Sequence, residues 1–138
     1  MRAHYAELFQ RFSDNPILTT ENWPYPANSV FNCGATVYNG ETILLTRVED
    51  LRGHSHLTVA RSKDGISNWR IDPQPTFLPA PENYPEELWG IEDPRITFVE
   101  ELQEYYIAYT AYSRGGPLVS LAKTKDFITF EKMGSVFF

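Results

Sequence analysis

The 138-residue sequence holds one cysteine, Cys33, which excludes an internal disulfide and any zinc site built on cysteine ligands. As a lone small thiol it is expected to fill the core. Net charge is −6 and no cluster of Lys and Arg interrupts it, so a nucleic-acid partner is not expected. No apolar run reaches membrane-spanning length, and the opening MRAHYAELFQRF lacks the long apolar segment of a secretory signal. The expectation is a cytoplasmic protein with no membrane partner. GxSxG elbows, Walker loops and dinucleotide fingerprints are missing too, which leaves nucleophilic-serine, nucleotide and nicotinamide chemistry without support. His54 and His56 fall on one side of a strand, as a metal pair would, but no third ligand stands nearby. No metal and no cofactor are expected.

What the chain has is aromatic content, 14% of residues, enough for a core and for a surface on which a sugar ring could stack. Tyr5, Leu8, Phe9 and Phe12 fall at i, i+3, i+4 and i+7, which predicts a short helix within residues 1–14, stopped by Ser13-Asp14-Asn15-Pro16. From Val30 the pattern is β. Thr36-Val37-Tyr38 and Thr42-Ile43-Leu44-Leu45 flank Asn39-Gly40, a hairpin signal, because both turn residues tolerate positive φ. His56 to Ser62 reads as the next strand, ended by Asp64-Gly65, and Trp69-Arg70-Ile71 as a fourth.

This unit recurs. LTVARSKDG (57–65) matches VSLAKTKDF (119–127), with Asp64 and Asp126 spaced by 62 residues; TILLTRVED (42–50) lies over YYIAYTAYS (105–113), and Trp69 over Phe130. Four short strands per repeat predict an all-β fold of β-propeller blades, one over about 30–71 and a second over about 90–133, within a partial propeller domain spanning 15–138. Residues 72–88 carry Pro73, Pro75, Pro79, Pro81 and Pro85, too many for an inner strand, and read as a rim loop. Two blades do not close a propeller. Further blades, or association into a homo-oligomer, are expected to cover the open edge.

The repeat sets Asn32-Cys33-Gly34-Ala35-Thr36 over Asp93-Pro94-Arg95-Ile96-Thr97, so Asn32 and Asp93 both stand at the mouth of a first strand. In a propeller that strand lines the central channel, and the two side chains would converge. Pro94 is expected to hold Asp93 extended. Alternation then puts Asp93 and Arg95 on one face, about 7 Å apart, with Glu92 pointing away. Charge pattern alone leaves Asp93 between a structural Asp–Arg pair and a catalytic carboxylate. It leaves Arg47 between a solvated strand end and a cation that grips hydroxyls or an anion. Arg52, Arg61 and Lys63 read as solvated.

Residues 28–65, GIEDPRIT (90–97) and YTAYSRGGPLVSLAKTKDF (109–127) together closely resemble the β-mannoside phosphorylases of glycoside hydrolase family 130. The resemblance implies a five-bladed propeller and inverting phosphorolysis of a β-mannosidic bond, giving α-mannose 1-phosphate. It implies inorganic phosphate as co-substrate and a β-mannoside oligosaccharide as partner. It places the general acid on Asp93, acting through the mannosyl 3-hydroxyl, and sugar contacts on Ser29, Asn32 and Arg47. Arg95 and Glu92, beside Asp93 in the sequence, are expected as supporting residues. The family's basic phosphate-binding residues lie beyond the second blade, so these residues alone are expected to have little phosphorolytic activity. A hydrolysing relative that uses water, and a non-catalytic carbohydrate-binding or self-associating β-module, are the alternatives.

Overall fold

The structure is a computed structural model and describes residues 8–137. Among these, eight strands form two four-stranded antiparallel sheets, each running in chain order. The first holds β1 (Ser29–Tyr38), β2 (Glu41–Glu49), β3 (Ser55–Ser62) and β4 (Arg70–Ile71). The second holds β5 (Ile91–Val99), β6 (Glu104–Ser113), β7 (Gly116–Thr124) and β8 (Phe130–Ser135).

Turn chemistry accounts for the meanders. Asn39 and Gly40 both take positive φ, 49° and 74°, as a tight hairpin turn with the twist of its flanking strands requires. Asp64 Oδ1 accepts the N–H groups of Ile66 and Ser67 at 2.9 and 2.8 Å, and Asp126 Oδ1 accepts those of Ile128 and Thr129 at the same two distances. The repeat seen in the sequence is thus a repeated bond pattern, one carboxylate closing each β3–β4-type turn.

Alternation builds the core. On β2, Ile43 and Leu45 face the second sheet, and on β3 Leu57 and Val59 do the same. They meet Ile91, Ile107, Tyr109, Ala111, Ala122 and Phe127, all buried. Each such large side chain contributes about 1.5–3 kcal/mol on leaving water. Phe77, from the proline-dense segment, pairs its backbone with Leu57 and stacks on Phe130 at 5.0 Å, so that segment seals one side of the core. The same alternation carries Arg47 onto the core face of β2 at one end of the interface and Arg61 onto that of β3 at the other.

Several sequence expectations need correction. Leu8 to Phe12 form no helix, and the rest of the expected helix, residues 1–7, lies outside the described residues. A helix this short needs a docked apolar face, and Leu8 and Phe9 are exposed. Arg61 is not solvated: it donates to Asp72 at 2.5 Å and to the Phe127 carbonyl at 2.9 Å, tying the two sheets together. Cys33 is exposed rather than buried, because a bulge in edge strand β1 turns it out of the packed face.

Candidate active site

Each sheet begins with a strand broken at the same place. The β1–β2 register shifts between Phe31 and Gly34, and the β5–β6 register between Glu92 and Arg95. The extra residues are Asn32-Cys33 and Asp93-Pro94, equivalent in the repeat. Asn32 and Asp93 both take left-handed backbone, φ 43° and 49°. Asn and Asp tolerate this region better than other side-chain-bearing residues. Bulges of this kind re-aim side chains. The expectation of an extended Asp93 is therefore overturned: the proline disfavours right-handed helical backbone at Asp93, and the chain occupies the left-handed well instead.

The two strands also lie close together. A Cβ on Gly34 would sit 2.9 Å from the Pro94 carbonyl oxygen and 3.0 Å from Ile96, so β1 approaches β5 as only glycine permits. The two bulges thereby meet, and Asn32 Nδ2 donates to Asp93 Oδ1 at 2.9 Å.

Arg47 completes the cluster. Its Nη1 reaches the same Asp93 oxygen at 3.1 Å, its Nη2 reaches Glu92 Oε1 at 2.9 Å, and its Nε donates to Ser55 Oγ at 2.9 Å. The Phe31 ring lies 4.5 Å from the guanidinium carbon. With 13% of its side chain exposed, Arg47 is a fixed cation and not a solvated strand end. Glu92 does not point away from Asp93. The left-handed residue breaks the alternation, and both carboxylates converge on one guanidinium.

The environment drives these neighbouring carboxyls apart. Partial burial pushes Asp93 up, but the hydrogen bonds from Asn32 and Arg47 and the charges of Arg47 and Arg95 outweigh it and hold its pKa below the ordinary aspartate value. Burial raises Glu92, and the charges of Asp93 and Glu49 add to the rise against the pull of Arg47. Both donors to Asp93 land on Oδ1, so among the described residues Oδ2 accepts no hydrogen bond and stands free for a ligand hydroxyl.

The remaining sequence candidates lie further out. Arg95 is exposed and donates to the Pro94 carbonyl at 3.2 Å, so it acts on Asp93 only through its charge; the cation paired with Asp93 is Arg47. Ser29, three residues before Asn32, takes a hydrogen bond from the Asn28 amide at 3.3 Å and is not brought against Asp93. Among the described residues no cluster of three His, Cys, Asp or Glu side chains is arranged to hold a metal. His56 is buried under Tyr25, whose hydroxyl lies 2.9 Å from Nε2, while His54 precedes the strand. Ser55 and Phe31 were not singled out from the sequence. The pairing of β2 with β3 would have found Ser55, since Arg47 faces Leu57 and Glu49 faces Ser55.

The sequence profile described as β-1,4-mannooligosaccharide phosphorylase matches residues 2–138. A β-1,2-mannobiose phosphorylase from Listeria innocua is 26% identical over 92% of this chain and half of its own length. The structure of the Listeria innocua β-1,2-mannobiose phosphorylase in complex with β-1,2-mannobiose superposes with a TM-score of 0.76, over 93% of this chain and 51% of that one. A glycosyl hydrolase from Bacteroides ovatus is 30% identical with a TM-score of 0.81, over 94% of this chain and 42% of that one. A structure from the mannoside phosphorylase family, described as containing glycoside hydrolases that target β-1,2-mannosidic linkages in Candida mannan, is 30% identical with a TM-score of 0.79, over 91% of this chain and 40% of that one. The likeness extends, in fold alone, to a Bacillus subtilis arabinanase at 18% identity and a TM-score of 0.60. The two sheets match part of a five-bladed propeller, and the chain spans about half or less of the length of these relatives. The chain belongs to glycoside hydrolase family 130, the mannoside phosphorylase family.

Proposed function

We propose that these residues form the sugar-binding and acid-bearing part of a β-mannoside phosphorylase site, in which Asp93 is the general acid and Asn32 and Arg47 hold the mannosyl unit. The observation that carries this reading is the double donation to Asp93 Oδ1, which fixes the carboxyl and leaves Oδ2 for the substrate. In the reaction a phosphate oxygen bonds to the anomeric carbon as the glycosidic bond breaks. Asp93 passes a proton to the 3-hydroxyl oxygen while that hydroxyl passes its own to the departing oxygen. Mannose 1-phosphate and the leaving sugar result.

An acid needs a proton, and the unliganded pocket favours the ionised Asp93. Two effects oppose that preference once substrates are bound. A phosphate anion nearby disfavours a second negative charge, and the sugar displaces water from the carboxyl. Relay through a hydroxyl also asks for a less extreme shift than direct donation to a leaving group. In this reading Ser29 and Arg95 act from the margin, Ser29 as a hydroxyl for the sugar and Arg95 through its charge on Asp93.

Hydrolysis is the second reading, supported by 30% identity to a structure described with the family's β-1,2-mannoside hydrolases. Titration with β-1,2-mannobiose tests the site directly. Asn32→Ala and Asp93→Ala are expected to weaken binding about tenfold each, as loss of a charge-assisted hydrogen bond would. Unchanged affinity in both variants overturns the assignment. Product analysis with and without phosphate then separates phosphorolysis from hydrolysis.

A further inference from the structure

The interface between the two sheets joins unlike faces. The first sheet contributes Ile43, Leu45, Leu57 and Val59, and the second contributes Ile96, Ile107 and Tyr109. The sequence repeat carries each face onto the outer side of the other sheet. Laying TILLTRVED over YYIAYTAYS puts Leu44 and Thr46 in the places of Ile107 and Tyr109, and Ala35 falls in the place of Ile96. Ala35 pairs with Leu44, and Thr46 lies two residues further along β2, so these three share the outer face of the first sheet. In the same way Tyr106, Ala108, Val119 and Leu121 stand where Ile43, Leu45, Leu57 and Val59 stand. Ala108 pairs with Leu121, which sets this group on the outer face of the second sheet. The molecule thus presents, on its two outer sides, both halves of an interface that it already makes once.

The shapes of the two faces are complementary. On the first sheet the face is a recess of about 810 Å³, bordered by Ile17, Leu18, Ala35, Leu44 and Trp69. Thr46, 4% exposed, also borders it, and its buried hydroxyl has no hydrogen-bond partner among the described residues. Leaving such a group unpaired is costly. On the second sheet the face projects. Val119 is 49% exposed, and the exposed Arg95 occupies the place that Gly34 holds in the first sheet. Ala35 and Thr46 are smaller than the Ile96 and Tyr109 whose places they take. The recess therefore has the room that a side chain in the Gly34 position needs.

We propose that a second copy of this chain docks head to tail, the projecting face of its second sheet seated in the recess of the first. Val119 and Leu121 of one copy then cover Leu44 and Ala35 of the other, and the Arg95 guanidinium brings donors to the Thr46 hydroxyl. Such a contact between unlike faces continues until the rotation closes or runs out of room. Here it repeats the rotation of a five-bladed ring. Two copies supply four sheets of the five, and a third copy, which carries two, does not fit. The assembly is a dimer, and it does not depend on what Asp93 does.

Sedimentation velocity on the 138-residue protein at about 100 μM, enough to fill an interface of micromolar affinity, tests it. The expected mass is that of two copies. Leu44→Glu in the recess and Val119→Glu on the projecting face each put an unpaired carboxylate into the contact. Each is expected to weaken association about hundredfold and leave monomers. Their equimolar mixture is expected to restore the dimer, because the Val119→Glu copy keeps an intact recess and the Leu44→Glu copy an intact projecting face. Should Leu44→Glu fail to fold, Ala35→Glu, at an exposed position in the same recess, takes its place. A wild type that stays monomeric, the result if sheets of another polypeptide are the occupant, overturns the proposal. So does a mass above two copies, a dimer that survives either substitution, or a mixture of folded variants that stays monomeric.

Discussion

Asn32 and Asp93, 61 residues apart, occupy equivalent bulges in successive sheets and hydrogen-bond to each other at 2.9 Å. The repeat has therefore placed an amide in one unit where the next carries an acid. Two carboxylates at this spacing could not both ionise cheaply, whereas an amide donates and stabilises the charge. Asn32→Asp keeps the left-handed backbone within reach and reverses the electrostatics. Its expected outcome is a rise in the Asp93 pKa to above the ordinary aspartate value, read by carboxyl carbon NMR titration. An unchanged Asp93 titration would mean that the Asn32 bond carries no weight.

Glu92 and Asp93 give opposite pH dependences to folding. The folded-state pKa of Asp93 is depressed, so the stability it contributes is present above its unfolded pKa and is lost as pH falls through the folded value. The Glu92 pKa is raised, so its contribution is complete below its unfolded pKa and is lost as pH rises through the folded value. Urea unfolding across the acid range should show Asp93→Asn flattening the loss toward low pH. Glu92→Gln should flatten the loss toward higher pH and leave the neutral-pH protein no less stable than wild type. Parallel curves for both variants would refute the split.

How legible this was in the sequence differs by element. Turn carboxylates and the Asn39-Gly40 hairpin announce themselves, because each is closed by chemistry local to a few residues. The pairing of Asn32 with Asp93 was also legible, through the repeat. Its geometry was not. Period-two alternation assumes an unbroken strand, and one left-handed residue sends Glu92 to the side it was expected to avoid. Arg47 was ambiguous for a related reason: its fate depends on which carboxylates a neighbouring sheet delivers. The N-terminal apolar spacing misled because periodicity reports a face but not whether a partner exists to cover it.

Between the proline-dense segment and the second sheet lies a buried charge cluster that the site does not use. Glu87, 1% exposed, accepts the Tyr109 hydroxyl and the Ala80 N–H, each at 2.7 Å, and pairs with Lys132, which lies over the Phe77 ring. It fastens the proline-dense segment to β6 and β8. Glu87→Gln leaves the Lys132 ammonium buried without its counter-charge and should lower stability by about 3 kcal/mol. Adding Lys132→Met should recover a substantial part of that loss, since an apolar chain of similar length suits the aromatic surroundings. Additive losses in the double variant would show that the two side chains are not coupled.

Gly90 connects the fold to the site. Its φ is +114°, and a Cβ there would lie 2.6 Å from both the backbone nitrogen and oxygen of Ser55, with which it forms a parallel bridge. Ser55 in turn holds Arg47 by its Nε. A side chain at 90 must therefore push β5 from β3 and draw Glu92 and Asp93 away from the guanidinium. Gly90→Ala is expected to lose about 3 kcal/mol or more, from backbone strain and overpacking together. Gly40→Ala supplies the control, because Gly40 also has positive φ, +74°, but meets nothing within 4 Å. That variant should lose only about 1 kcal/mol, the conformational part alone. Equal losses in the two, measured by urea unfolding, would mean that the approach of Ser55 to Gly90 is not what sets the spacing of the sheets.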